Sequence, residues 1–284
     1  IIVDILGSEI TTSNGNVYTD ITQSLSLGGL TYGVTNMELT SAYASIANGG
    51  TYQKPVLYTK VVDHNGNILL SNTQKGKRVM KESTAFLLTD AMKDVITKGT
   101  GKSAKLSSSM AVAGKSGTTS NSYDYWFSGY TPYHTASVWM GYDKNTNFAS
   151  DNTHKKIWAK VMNEIIKTKQ EQTTDFKKPA DIVKAKVCKE SGKLAIKGVC
   201  DHDPRGSRVI TEYFEKGTVP TQTCDIHVAV EVCKTSDKLA TKNCPANKKQ
   251  RKIYIVRKKG SHGKTADTPY MLPKKYQSVF CKKH

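Results

Sequence analysis

Charge and cysteine content change abruptly part-way along this chain, and that break constrains the fold more than any other feature. Residues 1–175 hold 17 of the 42 Lys+Arg and 14 of the 24 Asp+Glu, a net +3, and residues 176–284 hold the remaining 25 and 10, a net +15. All six cysteines (Cys188, Cys200, Cys224, Cys233, Cys244 and Cys281) also fall in the second part. A chain of 284 residues can build one large domain and a small companion. The break, near the polar run Thr168–Asp181 and its Pro179, predicts two domains, 1–172 and 173–284. The first reads as an ordinary globular body, the second as a small basic module that needs staples. Ile1 opens the chain in mid-pattern, as expected of a piece of a longer protein. No run approaches the roughly 18 apolar residues of a membrane-spanning helix, and no signal peptide is visible.

The first part alternates helix and strand signals. Asn36–Ala47 followed by Asn48-Gly49-Gly50 predicts a helix with a good stop. Val56–Asp63 and Ile68–Leu70 flank Asn65-Gly66, a short-hairpin signal. Ser83 is the expected N-cap of a helix burying Phe86, Leu87, Met92, Val95 and Ile96, with Gly99 ending it. Three β-like runs follow, Met110–Thr119, Tyr125–Thr131 and Thr135–Tyr142; the last two, parted by a short turn at Thr131-Pro132, should pair antiparallel. Thr153–Lys169 places Ile157, Trp158, Val161, Met162, Ile165 and Ile166 on one helical face. Together these elements predict a layered α+β domain. The second part holds a weak internal repeat: Val187–Ala195 resembles Val232–Ala240, and each copy leads to another cysteine, Cys200 and Cys244. Residues 245–284, with Lys248-Lys249 and Lys258-Lys259, read as loosely ordered.

Lys115-Ser116-Gly117 ends one of the apolar strands. There an ammonium and a hydroxyl can meet a substrate carboxylate at a cleft edge through charge-assisted hydrogen bonds. Gly117 leaves room for a close substrate backbone, and the Thr118 N–H can serve an oxyanion hole. The tripeptide alone is weak, because many strands end in such a turn by chance.

Its neighbours change that weight. Ala113–Thr119, Tyr125–Pro132 and Ser137–Tyr142, with Leu27–Thr35 and Ala42–Tyr52 before them, resemble the transpeptidase domain of class A, bifunctional penicillin-binding proteins. The resemblance covers roughly residues 21–169 in the family's order, and continues more weakly through Phe176–Ala180, Ser191–Ala195 and Glu212–Pro220. It implies a penicillin-binding-protein/β-lactamase-like α+β fold, an antiparallel sheet flanked by helices, incomplete at its N-terminus and followed by a small Cys-containing tail. It also implies part of a peptidoglycan D,D-transpeptidase working through a serine acyl-enzyme on the extracytoplasmic face of the bacterial membrane. The implied partners are stem peptides ending in D-alanyl-D-alanine and β-lactams; no cofactor is implied. Lys115, Ser116, Gly117, Thr118 and Thr119 would receive the donor's carboxylate and oxyanion. The alternatives are a penicillin-recognising hydrolase or sensor, and a non-catalytic basic wall-binding module.

Such an enzyme needs a Ser-x-x-Lys nucleophile and a Ser-x-Asn, both ahead of the lysine-serine-glycine strand. Here Ser261–Lys264 and Ser150–Asn152 both follow it, in the wrong order, and read as coincidence. The nucleophile, a glycosyltransferase domain and a membrane anchor are expected upstream of Ile1, and the chain alone is expected to be inactive. Tyr125, Trp126, Tyr130 and Trp139 read as alternating core and surface positions rather than a stacking platform. The cysteines admit about 15 pairings. The repeat favours the local disulfides Cys188–Cys200 and Cys233–Cys244, leaving Cys224 and Cys281, in the oxidising location the resemblance implies. A metal held by Cys200, His202, Cys224, His227 and nearby cysteines is the rival, but the spacings fit no common zinc pattern, so no metal is expected. The basic tail carries no nucleic-acid recognition motif; anionic wall polymers are its expected polyanion.

Overall fold

The three β-like runs of the first part form one antiparallel sheet: β1 (Ala113–Thr118), β2 (Asp124–Tyr130) and β3 (Thr135–Gly141), in the order β1-β2-β3. The structure, a computed structural model, describes residues 10–11, 13–15, 17–19, 21–30, 33–257 and 265–283. The expected turn at Thr131-Pro132 joins β2 to β3, with the Thr131 hydroxyl accepting from the Tyr133 and His134 amides at 3.2 and 3.1 Å. Paired residues share a face of the pleat. Ser116, Phe127 and Val138 therefore lie on one face, and Lys115, Ser128 and Ser137 on the other.

Each face carries its own core. On the Phe127 face, Trp158 and Met162 from α3 (Thr153–Lys169) pack with Ile96, Leu106, Met110 and Val112. On the other, Tyr130 and Ala113 meet Met92, with Tyr43, Ile46 and Ala47 of α1 (Asn36–Ala47) against them. α2 (Glu82–Thr97) serves both, giving Met92 to one core and Ile96 to the other. α1 starts with a capping box between Thr35 and Glu38. It ends at the expected glycines, where Gly50 sits at φ 86° with the Met80 carbonyl so close that a Cβ would lie 2.4 Å away. The Asn65-Gly66 hairpin also forms, between Lys60–Val62 and Ile68–Ser71, with Asp63 accepting from the Asn65 and Asn67 amides.

Two helix details differ from the sequence reading. α2 begins two residues earlier, at Glu82, after Lys81; Ser83 is buried inside the first turn instead of capping it. On α3, Ile157 and Val161 are exposed, while His154, Lys155 and Ala159 are buried beside Trp158 and Met162. The buried stripe is thus rotated toward two polar residues, whose hydrogen-bond partners Ser150 and Asn152 lie in the loop just before the helix.

The chain divides into two compact units, Ile1–Ala180 and Asp181–His284. Residues 174–176 are held by the first unit: Thr174 O accepts from the Ala111 amide at 3.1 Å, Asp175 pairs with Lys93 at 2.8 Å, and Phe176 meets Tyr130 edge-on at 5.4 Å.

In the second unit, β4 (Ile182–Cys188) pairs antiparallel with β5 (Val209–Glu215). A separate sheet places β6 (His227–Cys233) between β7 (Lys238–Leu239) and β8 (Lys249–Ile255). The sequence repeat is a structural one. Gly192 N–H donates to Cys188 O and Asp237 N–H to Cys233 O, both at 2.8 Å, and these two residues share the left-handed region at φ 69° and 49°. The described residues of the 245–284 stretch are more ordered than expected: they include β8, a 3₁₀ turn at Thr265–Tyr270 and a short helix, Lys275–Ser278. Lys258-Lys259 lies outside the described residues.

Candidate functional site: an open strand edge and two sulfur clusters

Among the described residues β1 is an edge strand. The Thr119 amide donates to Asp124 O at 3.2 Å, so residues 113, 115 and 117 direct their backbone groups toward β2 by the alternation of an antiparallel ladder. The amides of Ser116 and Thr118 then point out of the sheet, where an extended peptide can add as a further strand. Lys115 is exposed, with Nζ 2.8 Å from Ser116 O, and the Ser116 hydroxyl lies 2.8 Å from that of Thr100. Thr118 is exposed. Thr119 is occupied elsewhere: its hydroxyl accepts from the Tyr123 and Asp124 amides at 3.1 and 2.9 Å, closing the β1–β2 turn.

The glycines of β1 differ in what the fold asks of them. A Cβ on Gly114 would meet Ser128 O at 2.8 Å and Gly129 Cα and Phe127 Cζ at 2.9 Å, so packing excludes a side chain there. On Gly117 it would meet only Trp126 Cβ at 3.5 Å, an ordinary contact. The fold therefore has room for alanine at 117.

Sequence reasoning missed the polar start of α3. Lys155 is buried and donates to Asn152 Oδ1 at 2.7 Å; burial first, and then the charge of Lys115, lower its pKa. A second ammonium thus lies within electrostatic reach of Lys115. Burial lowers the pKa of His154 beside it, whose Nδ1 is 3.2 Å from the Ser150 hydroxyl. That hydroxyl also accepts from the Asn152 amide, so Ser150–Asn152 serves the helix start. Ser261–Lys264 lies outside the described residues. Tyr130 is fully buried with its hydroxyl 2.8 Å from that of Thr89, Tyr125 packs on Phe148, and Trp139 is 40% exposed. These are core and surface roles, not a stacking platform.

The structure brings the partners of each expected pair, Cys188 with Cys200 and Cys233 with Cys244, together with a third sulfur. All six cysteines are buried free thiols, and the structure forms no disulfide among the described residues. They gather as Cys188, Cys200 and Cys224 with His227, and as Cys233, Cys244 and Cys281. His202, the other candidate ligand, is exposed and pairs with Asp201 at 3.2 Å.

Known proteins resemble the chain over most of its length. The family described as penicillin binding protein transpeptidase domain matches residues 7–167, and that described as penicillin-binding protein 1A, C-terminal domain matches residues 178–229. Penicillin-binding protein 1A of Clostridium botulinum is 36% identical over 88% of this chain and 30% of its own length. Penicillin-binding protein 2D of Bacillus subtilis is 34% identical over 80% of this chain and 32% of its own. The chain therefore spans about a third of the length of the curated relatives it matches. The crystal structure of penicillin-binding protein 1A from Haemophilus influenzae shares the fold, with TM-score 0.56 and 23% identity over 72% of this chain and 35% of that one. With one transpeptidase match running across more than half of its residues, on the sheet that carries Lys115–Thr118, the chain belongs to the penicillin-binding protein transpeptidase family.

Proposed function

We propose that the first unit supplies the carboxylate- and oxyanion-binding wall of a peptidoglycan D,D-transpeptidase acting at the extracytoplasmic face of the membrane. In this reading a serine outside the Lys115 strand attacks the carbonyl of the penultimate D-alanine of a stem peptide. The terminal D-alanine leaves with a proton, and the amine of a second stem displaces the serine to form the cross-link. β-Lactams occupy the same wall. Lys115, with Lys155 behind it, attracts the donor carboxylate; the Ser116 hydroxyl orients it; the outward Thr118 amide donates to the oxyanion. The observation that carries the reading is Gly117, a glycine the fold does not require on the open edge of the sheet.

Acylation by a fluorescent penicillin tests it. The 284-residue chain alone is expected to stay unlabelled. In the longer protein that supplies the nucleophile, Gly117→Ala is expected to slow labelling about 10²-fold by displacing the bound carbonyl, with the melting temperature unchanged. Gly114→Ala is expected to destabilise the unit by about 1–3 kcal/mol through overpacking. Labelling of the isolated chain, or unaltered acylation of Gly117→Ala, would refute the assignment.

The +15 charge of residues 176–284 favours a second role, retention on anionic wall polymers. Binding to isolated cell walls should weaken steeply with added salt, and salt-independent binding would count against it.

A further inference from the structure

We propose that Cys188, Cys200, Cys224 and His227 form a structural zinc site, and that Cys233, Cys244 and Cys281 begin a second on the same plan. In the first group the four ligand atoms lie within 4.8 Å of one another, and all four residues are buried. His227 Nδ1 is 3.4 Å from Cys188 Sγ and 3.3 Å from Cys224 Sγ. A tetrahedral zinc with Zn–S near 2.3 Å and Zn–N near 2.0–2.1 Å sets such separations at roughly 3.5 Å. A disulfide would use two of the three sulfurs and leave both the third and the imidazole without a purpose.

The surroundings are those of a metal ligand. His227 Nε2 meets Asp203 Oδ2 at 2.6 Å, with both side chains fully sealed from solvent. A carboxylate there fixes the proton on Nε2 and leaves the Nδ1 lone pair directed at the sulfurs, the arrangement that orients metal-bound histidines. Arg205 in turn fixes Asp203, through Nε at 3.0 Å, Nη2 at 2.8 Å and its amide at 2.7 Å. The Ile196 amide donates to Cys200 Sγ at 3.3 Å. Three thiolates, a neutral imidazole and a divalent ion sum to one negative charge, which suits a strongly basic unit.

The second group repeats three features of the first around its sulfurs. The Thr241 amide donates to Cys244 Sγ at 3.3 Å, as Ile196 does to Cys200. The Cys281 amide donates to Leu239 O at 2.8 Å, as Cys224 does to Leu194 O. Parallel bridges Leu194↔Thr223 and Leu239↔Phe280 deliver the third sulfur in both copies. In sequence, His284 stands three residues after Cys281 as His227 stands three after Cys224; His284 lies outside the described residues.

The test uses the full 284-residue chain, prepared with Zn²⁺ and desalted. Two zinc ions per chain are expected, with six free thiols on denaturation in chelator without reductant. Cobalt(II) substitution should give the visible and charge-transfer bands of a tetrahedral thiolate site. Cys224→Ser should lower the count from two to one, whereas His227→Cys, which preserves four ligands, should keep two. Asp203→Asn should keep the ligands and weaken Zn²⁺ binding about 10–100-fold. Fewer than six thiols on denaturation, with no zinc retained, would overturn the proposal in favour of disulfides, and that readout does not depend on folding. A single zinc that survives Cys224→Ser would overturn the first site, and a single zinc lost with Cys224→Ser would overturn the second.

Discussion

Replacing Trp158 by alanine is expected to destabilise the first unit by about 3–5 kcal/mol, the usual cost of emptying a buried indole site. Trp158 is 0% exposed, packs edge-on against Phe127 at 5.2 Å and donates Nε1–H to Ala136 O at 2.9 Å. It joins α3 to the Phe127 face of the sheet, and its ring lies 2.9 Å from where a Cβ on Gly129 would stand, so the backbone there is built around it. Trp158→Phe should lose less, mainly the hydrogen bond, about 1 kcal/mol. All three tryptophans, Trp126, Trp139 and Trp158, lie in the first unit, so denaturant titration followed by tryptophan fluorescence reads this unit alone. An unchanged midpoint for Trp158→Ala would show that α3 is not held by this residue.

Asp203→Ala should destabilise the second unit by a similar amount, about 3–5 kcal/mol, because it removes one partner from a buried charged network. Arg205 and His227 would each lose a bond at 3.0 Å or less, and Arg208, 3.8 Å away, would lose its nearest carboxylate oxygen but Glu190. Arg205 would keep Asp267, at 2.5 Å, which Arg257 shares. Hydrogen exchange of the amides of β4 and β6 is the measurement, since it samples this unit without reference to the other. Protection equal to that of the unsubstituted chain would contradict the estimate.

The strands were legible because alternation and turn residues act locally. The three runs of the sheet, the turn at Thr131-Pro132 and the Asn65-Gly66 hairpin are all decided within a few residues. Helix faces were less so: apolar periodicity placed Ile157 and Val161 inside, whereas tertiary packing chose His154 and Lys155, and nothing in α3 itself announces that choice. At the candidate site, Lys115 to Thr119 were singled out by resemblance, and the turn that the Thr119 hydroxyl closes becomes visible only once β2 is paired. The sulfur clusters escaped for a related reason. Local spacing suggests the pairs Cys188–Cys200 and Cys233–Cys244, but the third sulfur of each group returns from far along the chain through a parallel bridge. A usable signal was present in the recurrence of Cys-x-x-His at Cys224–His227 and Cys281–His284.

The two copies in the second unit differ at one turn, and that difference gives them unequal sensitivities. Gly192 turns the first copy with no side chain. Asp237 turns the second with a carboxylate that pairs with Lys275, lies 3.6 Å from Lys252 and accepts from Tyr276 Oη at 2.5 Å. That carboxylate is about half open to solvent, at 54%, where dissolved ions screen it within about 8–10 Å. The Asp203–His227 contact of the first copy is sealed from them. The Asp237 contacts are open to the surrounding electrolyte, so added salt is expected to loosen the segment fastened by Lys275 and Tyr276 before it reaches the sealed Asp203–His227 contact.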